Sequence, residues 1–377
     1  MTTTRRVPAP APTPSTPSPA APCAAAAPPT EDPGAPPADP PDAGAAVRRG
    51  PLPLLRRAPG APPAVVAHRG SSSTAPENTL AAFEAARRAG APWVETDLRR
   101  TRDGVAVVLH DPRMERTTDG AGDLAGLTAA EVAALDAGSW FAPGFGGARV
   151  PLLDELLDWA AAHDEPHLLL ELKGSWTPAE VAPVVAAVRA RGLAERVVLQ
   201  SFDAGTVAAC AHAAPDLALG LLLREGGGVP LLEAGAGTPD ASGRGATGGA
   251  PRVSEEVRRL VAEHRLSAVN PGARLVVGSP EVVGALHDLG VAVWVWTVDD
   301  AARWAQLEEA GADGVITNRP DRMLGWVEGR RSPVPAPRRG GTSAAPTAAD
   351  PTTADAAAPA AAGAGPAPDD GTTLAAP

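Results

Sequence analysis

Between residues 64 and 330, short β-like apolar runs alternate with segments of helical period, and this alternation restricts the fold more than any other feature. Parallel strands joined by crossover helices produce such a pattern. The runs lie at 64–70, 92–98, 167–174, 197–202, 217–223, 267–270, 291–298 and 313–317, with one more at 105–111. That extra run starts too soon after Leu98 for a helical crossover, and Asp103-Gly104 is a hairpin signal. Setting this hairpin arm aside leaves eight parallel strands. Helices are predicted at 152–162, 178–191, 203–213, 254–264, 280–289 and 300–310. Another follows Pro76-Glu77-Asn78-Thr79, with Leu80, Phe83, Ala86 and Arg87 on one face and Gly90 as a stop. The pattern predicts the α/β class as a TIM (βα)8 barrel, because closure leaves no sheet edge exposed. A doubly wound open sheet competes, but no GxGxxG follows the first strand.

The chain extends beyond this core on both sides. Residues 1–63 hold 19 of the 43 prolines and 331–377 hold another 9, in Ala- and Thr-rich company. Such segments bury too little apolar surface to offset chain entropy, so both read as disordered Pro/Ala-rich tails around one domain, 64–330. Inside it, 112–150 is a small irregular insertion after the hairpin. Residues 225–250, with nine glycines and no periodicity, read as a flexible Gly-rich loop.

A formal net charge of −11 and the lack of a Lys/Arg block argue against a nucleic-acid partner. Two cysteines, Cys23 and Cys210, are too few for a disulfide framework or a thiolate metal site. No apolar run reaches the ~18 residues of a transmembrane segment. Prolines interrupt every candidate signal-peptide core, so cytoplasmic is the default location. Arginine so dominates the basic residues that Lys173 is the one lysine, a bias that codon usage largely explains.

Polar groups that break apolar runs gather at the C-terminal ends of the predicted strands: His68-Arg69, Glu95 and Asp97, His110-Asp111, Glu171 and Lys173. In a βα barrel these ends share the face on which active sites are built. Glu95 and Asp97 are two apart, so their side chains point to one side of their strand, and Glu171 and Lys173 repeat the spacing. Three converging carboxylates need a compensating charge, and oxygen-only ligands select a hard divalent cation, Mg²⁺ or Ca²⁺. The competing account pairs these acids with Arg99, Arg100 or Lys173. His68 and His110 are candidate acid and base, since imidazole titrates nearest neutral pH. The other five histidines (His163, His167, His212, His264, His287) receive no role.

Arg69 and Lys173 are fixed cations suited to a phosphate, or else simple ion-pair partners. Glu77 reads as a first-turn helix acid. One of Trp294 and Trp296 must face the barrel interior or its mouth, and Trp296 is the candidate substrate contact. Asn270 and Asn318 read as loop caps.

These residues resemble the glycerophosphodiester phosphodiesterase family. The likeness runs in family order through HRG…PENT, E-T-D, VVLHD, RTTDGAG, VPLLDELL, LLLELKG, VVLQSF, VWVWTVDD and DGVITNRP, across nearly all of 64–322. It implies a TIM barrel that hydrolyses small-molecule glycerophosphodiesters to glycerol 3-phosphate and an alcohol. It also implies a divalent cation on Glu95, Asp97 and Glu171, with His68 and His110 as the catalytic pair and Arg69 and Lys173 on the phosphate. Residues 112–150 match the family insertion that helps to cover the glycerol end. Two alternatives stay open. One is a lysophospholipase D or phospholipase C-like enzyme that meets a bilayer through Trp140, Phe141 and Phe145; the other is a non-catalytic phosphodiester-binding barrel. Head-group preference, oligomeric state and the choice between Mg²⁺ and Ca²⁺ are not encoded legibly.

Overall fold

The computed structural model describes residues 55–235 and 249–331. In chain order the elements begin with β1 (Ala64–His68), α1 (Leu80–Arg88), β2 (Trp93–Arg100), β3 (Ala106–Val108), α2 (Ala129–Ala133), α3 (Leu153–Ala161), β4 (His167–Leu172) and α4 (Pro178–Ala190). They continue with β5 (Val197–Ser201), α5 (Ala204–Ala213), β6 (Ala218–Leu223), β7 (Leu232–Gly235), β8 (Gly249–Val253), α6 (Glu255–His264) and β9 (Ala268–Pro271). The last are α7 (Ala273–Val277), α8 (Val282–Asp288), β10 (Ala292–Val295), α9 (Ala301–Ala310), β11 (Gly314–Thr317) and α10 (Pro320–Arg331).

Eight strands pair in parallel in the order β1-β2-β4-β5-β6-β9-β10-β11, and β11 pairs back to β1, closing the barrel. The eight predicted runs are these eight strands. The ninth run is β3, antiparallel to β2 with Leu98 opposite Val108, as the Asp103-Gly104 turn requires. Register sets the site: His68 lies beside Glu95 across β1 and β2, and Asp97 lies beside Glu171 across β2 and β4. Outward-facing strand residues and the helices bury one continuous apolar shell, including Leu98, Leu170, Leu172, Leu199 and Leu219. Inward-facing Val66, Trp93, Leu169, Val198, Trp294 and Ile316 fill the barrel below the site.

Gly70 has to be a glycine. It holds φ at 80°, and a Cβ there would lie 2.6 Å from the backbone of Ala82, so only glycine lets α1 close against the end of β1.

Four expectations are corrected. Residues 55–63, assigned to the N-terminal tail, pack across the bottom of the barrel. Leu55 is 1% exposed, its carbonyl accepts a hydrogen bond from Trp294 Nε1 at 3.0 Å, and Arg57 N–H donates to Asp313 Oδ1 at 3.1 Å. Proline content hid one apolar plug. The Gly-rich stretch 225–250 is not featureless, because Leu232 pairs with Val253 and Glu233 with Arg252 in an antiparallel β7–β8 ladder. The insertion has its own small core around Met114, Leu124, Val132 and Val150 and contains α2. Glu77 precedes α1, whose N-cap is Thr79, so it is not a first-turn acid. The rest of the predicted tails (1–54 and 332–377) and of the loop (236–248) lies outside the described residues. Among the described residues, no helix is long and apolar enough to cross a membrane.

If Leu55 plugs the barrel, Leu55→Ala should cost about 2–4 kcal/mol and lower the melting temperature by roughly 5–10 °C, as in other buried leucine truncations. An unchanged thermal unfolding midpoint would show that the segment is not part of the folded core.

Candidate active site

A cavity of about 650 Å³ opens at the C-terminal ends of the strands. His68, Arg69, Glu95, His110, Glu171, Lys173 and Trp296 line it, and Asp97 lies directly beneath, 1% exposed. The barrel therefore brings together all eight residues singled out from the sequence. Trp296 is two residues beyond Trp294, so both indoles point inward. Trp294 packs deep in the barrel, while Trp296 stands at the mouth with its Nε1 donating to the Asn270 carbonyl at 2.7 Å.

Ligand oxygens of Glu95, Asp97 and Glu171 all lie within 4.8 Å of one another, and all three residues are buried. Two cations face them. Lys173 Nζ is 2.8 Å from Glu171 Oε1 and 3.1 Å from Asp97 Oδ1, and Arg69 Nε is 3.2 Å from Asp97 Oδ2. Arg69 has a left-handed backbone (φ 55°), which turns its N–H onto Glu95 Oε2 at 3.0 Å while its guanidinium reaches Glu77 Oε1 at 2.8 Å. Asn78, also left-handed, donates to Asp97 Oδ2 at 2.8 Å. Short polar side chains tolerate that conformation best, which suits asparagine there.

The charges are unevenly shared. Burial, then the Asp97 and Glu171 charges, push the Glu95 carboxyl well above its ordinary range. Burial and the Asp97 charge push Glu171 up to about 7 against the pull of Lys173. Burial opposes ionisation of Asp97 as well, but Lys173 and Arg69 outweigh it and hold that carboxyl low. Two of the three acids thus favour keeping a proton when no further positive charge is present. Asp97 Oδ1 is buried with Lys173 Nζ, at 3.1 Å, as its partner. A crowded, buried, all-oxygen set in which two acids favour a proton fits a hard divalent cation, which would let all three acids ionise.

The two histidines differ in their partners. His68 Nδ1 is 2.7 Å from Asn318 Oδ1. Asn318 gives its amide hydrogens to Asp299 Oδ2, at 2.8 Å, so its oxygen faces His68. This network puts the proton of neutral His68 on Nδ1 and leaves the Nε2 lone pair toward the cavity, 3.9 Å from Glu95 Oε2. Burial, reinforced by Arg69, lowers its pKa to about 4. His110 Nδ1 lies 2.5 Å from Asp111 Oδ1, a partner that supports the protonated ring. Burial still lowers the His110 pKa, with Asp97 opposing.

Sequence reasoning missed several members of this site. Asn318, read as a loop cap, orients His68. Glu77 instead joins Arg69 to Arg116, whose Nη1 and Nη2 lie 2.8 Å from its two oxygens. Arg116 Nε also reaches Asp111 Oδ2 at 2.5 Å, so one guanidinium from the insertion braces both the loop after β1 and the loop that carries His110. Phe202 stacks edge-on to Trp296 at 5.2 Å, and its place at the end of the VVLQSF run was the available signal.

Comparison with known proteins agrees with this geometry. A sequence model of the Glycerophosphoryl diester phosphodiesterase family matches residues 68–322. The chain is 30% identical over 266 residues to a glycerophosphodiester phosphodiesterase of Caldanaerobacter subterraneus subsp. tengcongensis, covering 70% of this chain and 97% of that one. A crystal structure of a glycerophosphodiester phosphodiesterase from Agrobacterium tumefaciens superposes with a TM-score of 0.55 at 28% identity, over 70% of this chain and 99% of that one. A phosphodiesterase from Oleispira antarctica, solved with the product sn-glycerol-3-phosphate, gives a TM-score of 0.58 at 25% identity, over 71% and 97%. The chain belongs to the glycerophosphoryl diester phosphodiesterase family, a family of enzymes.

Proposed function

We propose that this chain is a metal-dependent phosphodiesterase that hydrolyses glycerophosphodiesters to glycerol 3-phosphate and an alcohol. The observation that carries this reading is the pairing, in one cavity, of a buried carboxylate triad with two imidazoles whose partners differ. The product named for the Oleispira neighbour supports glycerol 3-phosphate as the phosphate-bearing product.

Glu95, Asp97 and Glu171 would hold Mg²⁺ or Ca²⁺, since every ligand is a hard carboxylate oxygen. Bound there, the ion would supply fixed positive charge to the phosphate oxygens. Arg69 and Lys173 line the cavity and add charge that does not depend on protonation near neutral pH. His68, neutral and with Nε2 free, takes a proton from the attacking water as the water oxygen bonds to phosphorus. The bond from phosphorus to the departing alkoxide breaks, and protonated His110, supported by Asp111, gives that oxygen its proton.

One observation favours a second reading. Trp140 is 41% exposed and begins an aromatic row with Phe141 and Phe145, at 5.6 and 5.5 Å between ring centres, as an enzyme that meets lipid would present. Turnover of lysolipid micelles well above that of glycerophosphocholine would favour it.

His68→Ala and His110→Ala should each lower kcat for release of glycerol 3-phosphate by ~10²–10⁴-fold. Near-full turnover by both variants would remove the acid–base assignment.

Metal binding should depend on pH with a definite sign. Glu171, raised to about 7, and Glu95, raised further than its ordinary range, hold protons in the metal-free protein that the cation must displace. Affinity is therefore complete above the raised value and is lost as pH falls through it. Loss of a single such proton predicts that apparent Ca²⁺ or Mg²⁺ affinity by calorimetry rises roughly tenfold or more between about pH 5.5 and 7.5, with protons released. A flat profile would place the ion elsewhere.

A further inference from the structure

A second cleft, of about 350 Å³, adjoins the active cavity and shares Arg99, Lys173 and Gly174 with it. It runs between the ends of β2 and β4 and the start of the insertion, past Arg100, Pro112 and Leu124. Its charge is lopsided. Arg99, Arg100 and Lys173 face one acid, Asp123, and that acid is paired with Arg113 at 3.2 Å.

Arg99 is the decisive side chain. It is four residues beyond Glu95 on β2 and so shares the inward face with Glu95 and Asp97. Its Nε donates to the carbonyl of His110 at 2.6 Å, which fixes the guanidinium beside that histidine. Among the described residues it forms no ion pair, although Arg69, Arg100 and Lys173 around it all do. Asp97, Glu171 and Asp111 act on it through space, but none is in direct contact, and a half-buried guanidinium held in place without a direct ion pair is a preformed anion contact.

We propose that this cleft is the subsite for the leaving alcohol, and that it selects glycerophosphodiesters whose alcohol carries a further negative charge, such as a second phosphate. The inference rests on the reading above, in which His110 protonates the departing oxygen, because the group attached to that oxygen must then lie beside Arg99. A cationic alcohol such as choline would meet the like charge of Arg99, which no ion pair offsets, beside the partly neutralised Arg100 and Lys173.

The test compares kcat/KM for three diesters with the metal-loaded full chain: glycerophosphocholine, glycerophosphoglycerol, and bis(glycerophospho)glycerol, whose leaving alcohol bears a phosphodiester. The anionic diester should exceed glycerophosphocholine by about tenfold or more, and the ratio should shrink as salt rises from about 0.02 to 0.5 M, since screening weakens charge selection. Arg99→Gln should reduce the ratio several-fold and Arg99→Glu should invert it. The salt series needs only the unaltered protein, so misfolding of a variant does not blunt the test. Turnover of glycerophosphoglycerol with no charge preference, or a ratio indifferent to both salt and Arg99→Gln, overturns the subsite alone. No turnover of any of the three diesters overturns the hydrolase reading and the subsite with it.

Discussion

The architecture answers to one electrostatic problem, which is how to keep three carboxylates within 4.8 Å of one another at the top of an apolar barrel. Each would prefer water, and each makes its neighbours harder to ionise. The chain meets the problem with cations fixed from two sides. Lys173 comes from just past the end of β4, and Arg69 is turned inward by a left-handed backbone just past β1. The balance remains incomplete, because Glu95 and Glu171 are still driven toward protonation. A buried acidic site left short of positive charge is compatible with a divalent ion.

Barrel closure is what makes the solution possible. Glu95 and Asp97 reach the same space because they are two residues apart on β2, and Glu171 joins them because β4 pairs with β2 in a register that sets Asp97 beside Glu171. A slip of one residue in that register would turn the acid into the leucine-rich outer shell. Pairing of β1 with β2 completes the ring and brings His68 alongside Glu95, although the strand carrying His68 also pairs with the far end of the sheet.

The parts of this arrangement set by periodicity were legible in the sequence. Strand parity showed which acids share a face, the short gap before residue 105 showed the hairpin, and polar interruptions of apolar runs showed which end of the barrel carries the chemistry. Parts set by loops were not. Asn318 and His68 are 250 residues apart, and no local pattern says that Asp299 turns the amide oxygen of Asn318 toward the ring. Glu77 reads naturally as an acid at a helix start, and only tertiary structure reveals Arg116 across from it. Leu55 failed for a different reason: three leucines set among prolines, Leu52, Leu54 and Leu55, make too short a run to show a period, yet Leu55 caps the barrel floor.

Arg116 also shows why an irregular insertion belongs to a catalytic barrel at all. Its guanidinium contacts Glu77 twice and Asp111 once, and these acids in turn hold Arg69 and His110. The loop after β1 and the loop after β3 therefore share one anchor, supplied from outside the barrel. Neither loop has regular backbone pairing to hold it at hydrogen-bond accuracy, whereas charge-assisted, bidentate contacts are short and directional. The small core around Met114 and Leu124 then has a clear purpose, since a packed insertion gives Arg116 a fixed origin. Precision at the two imidazoles comes from strands on one side and from this packed appendage on the other.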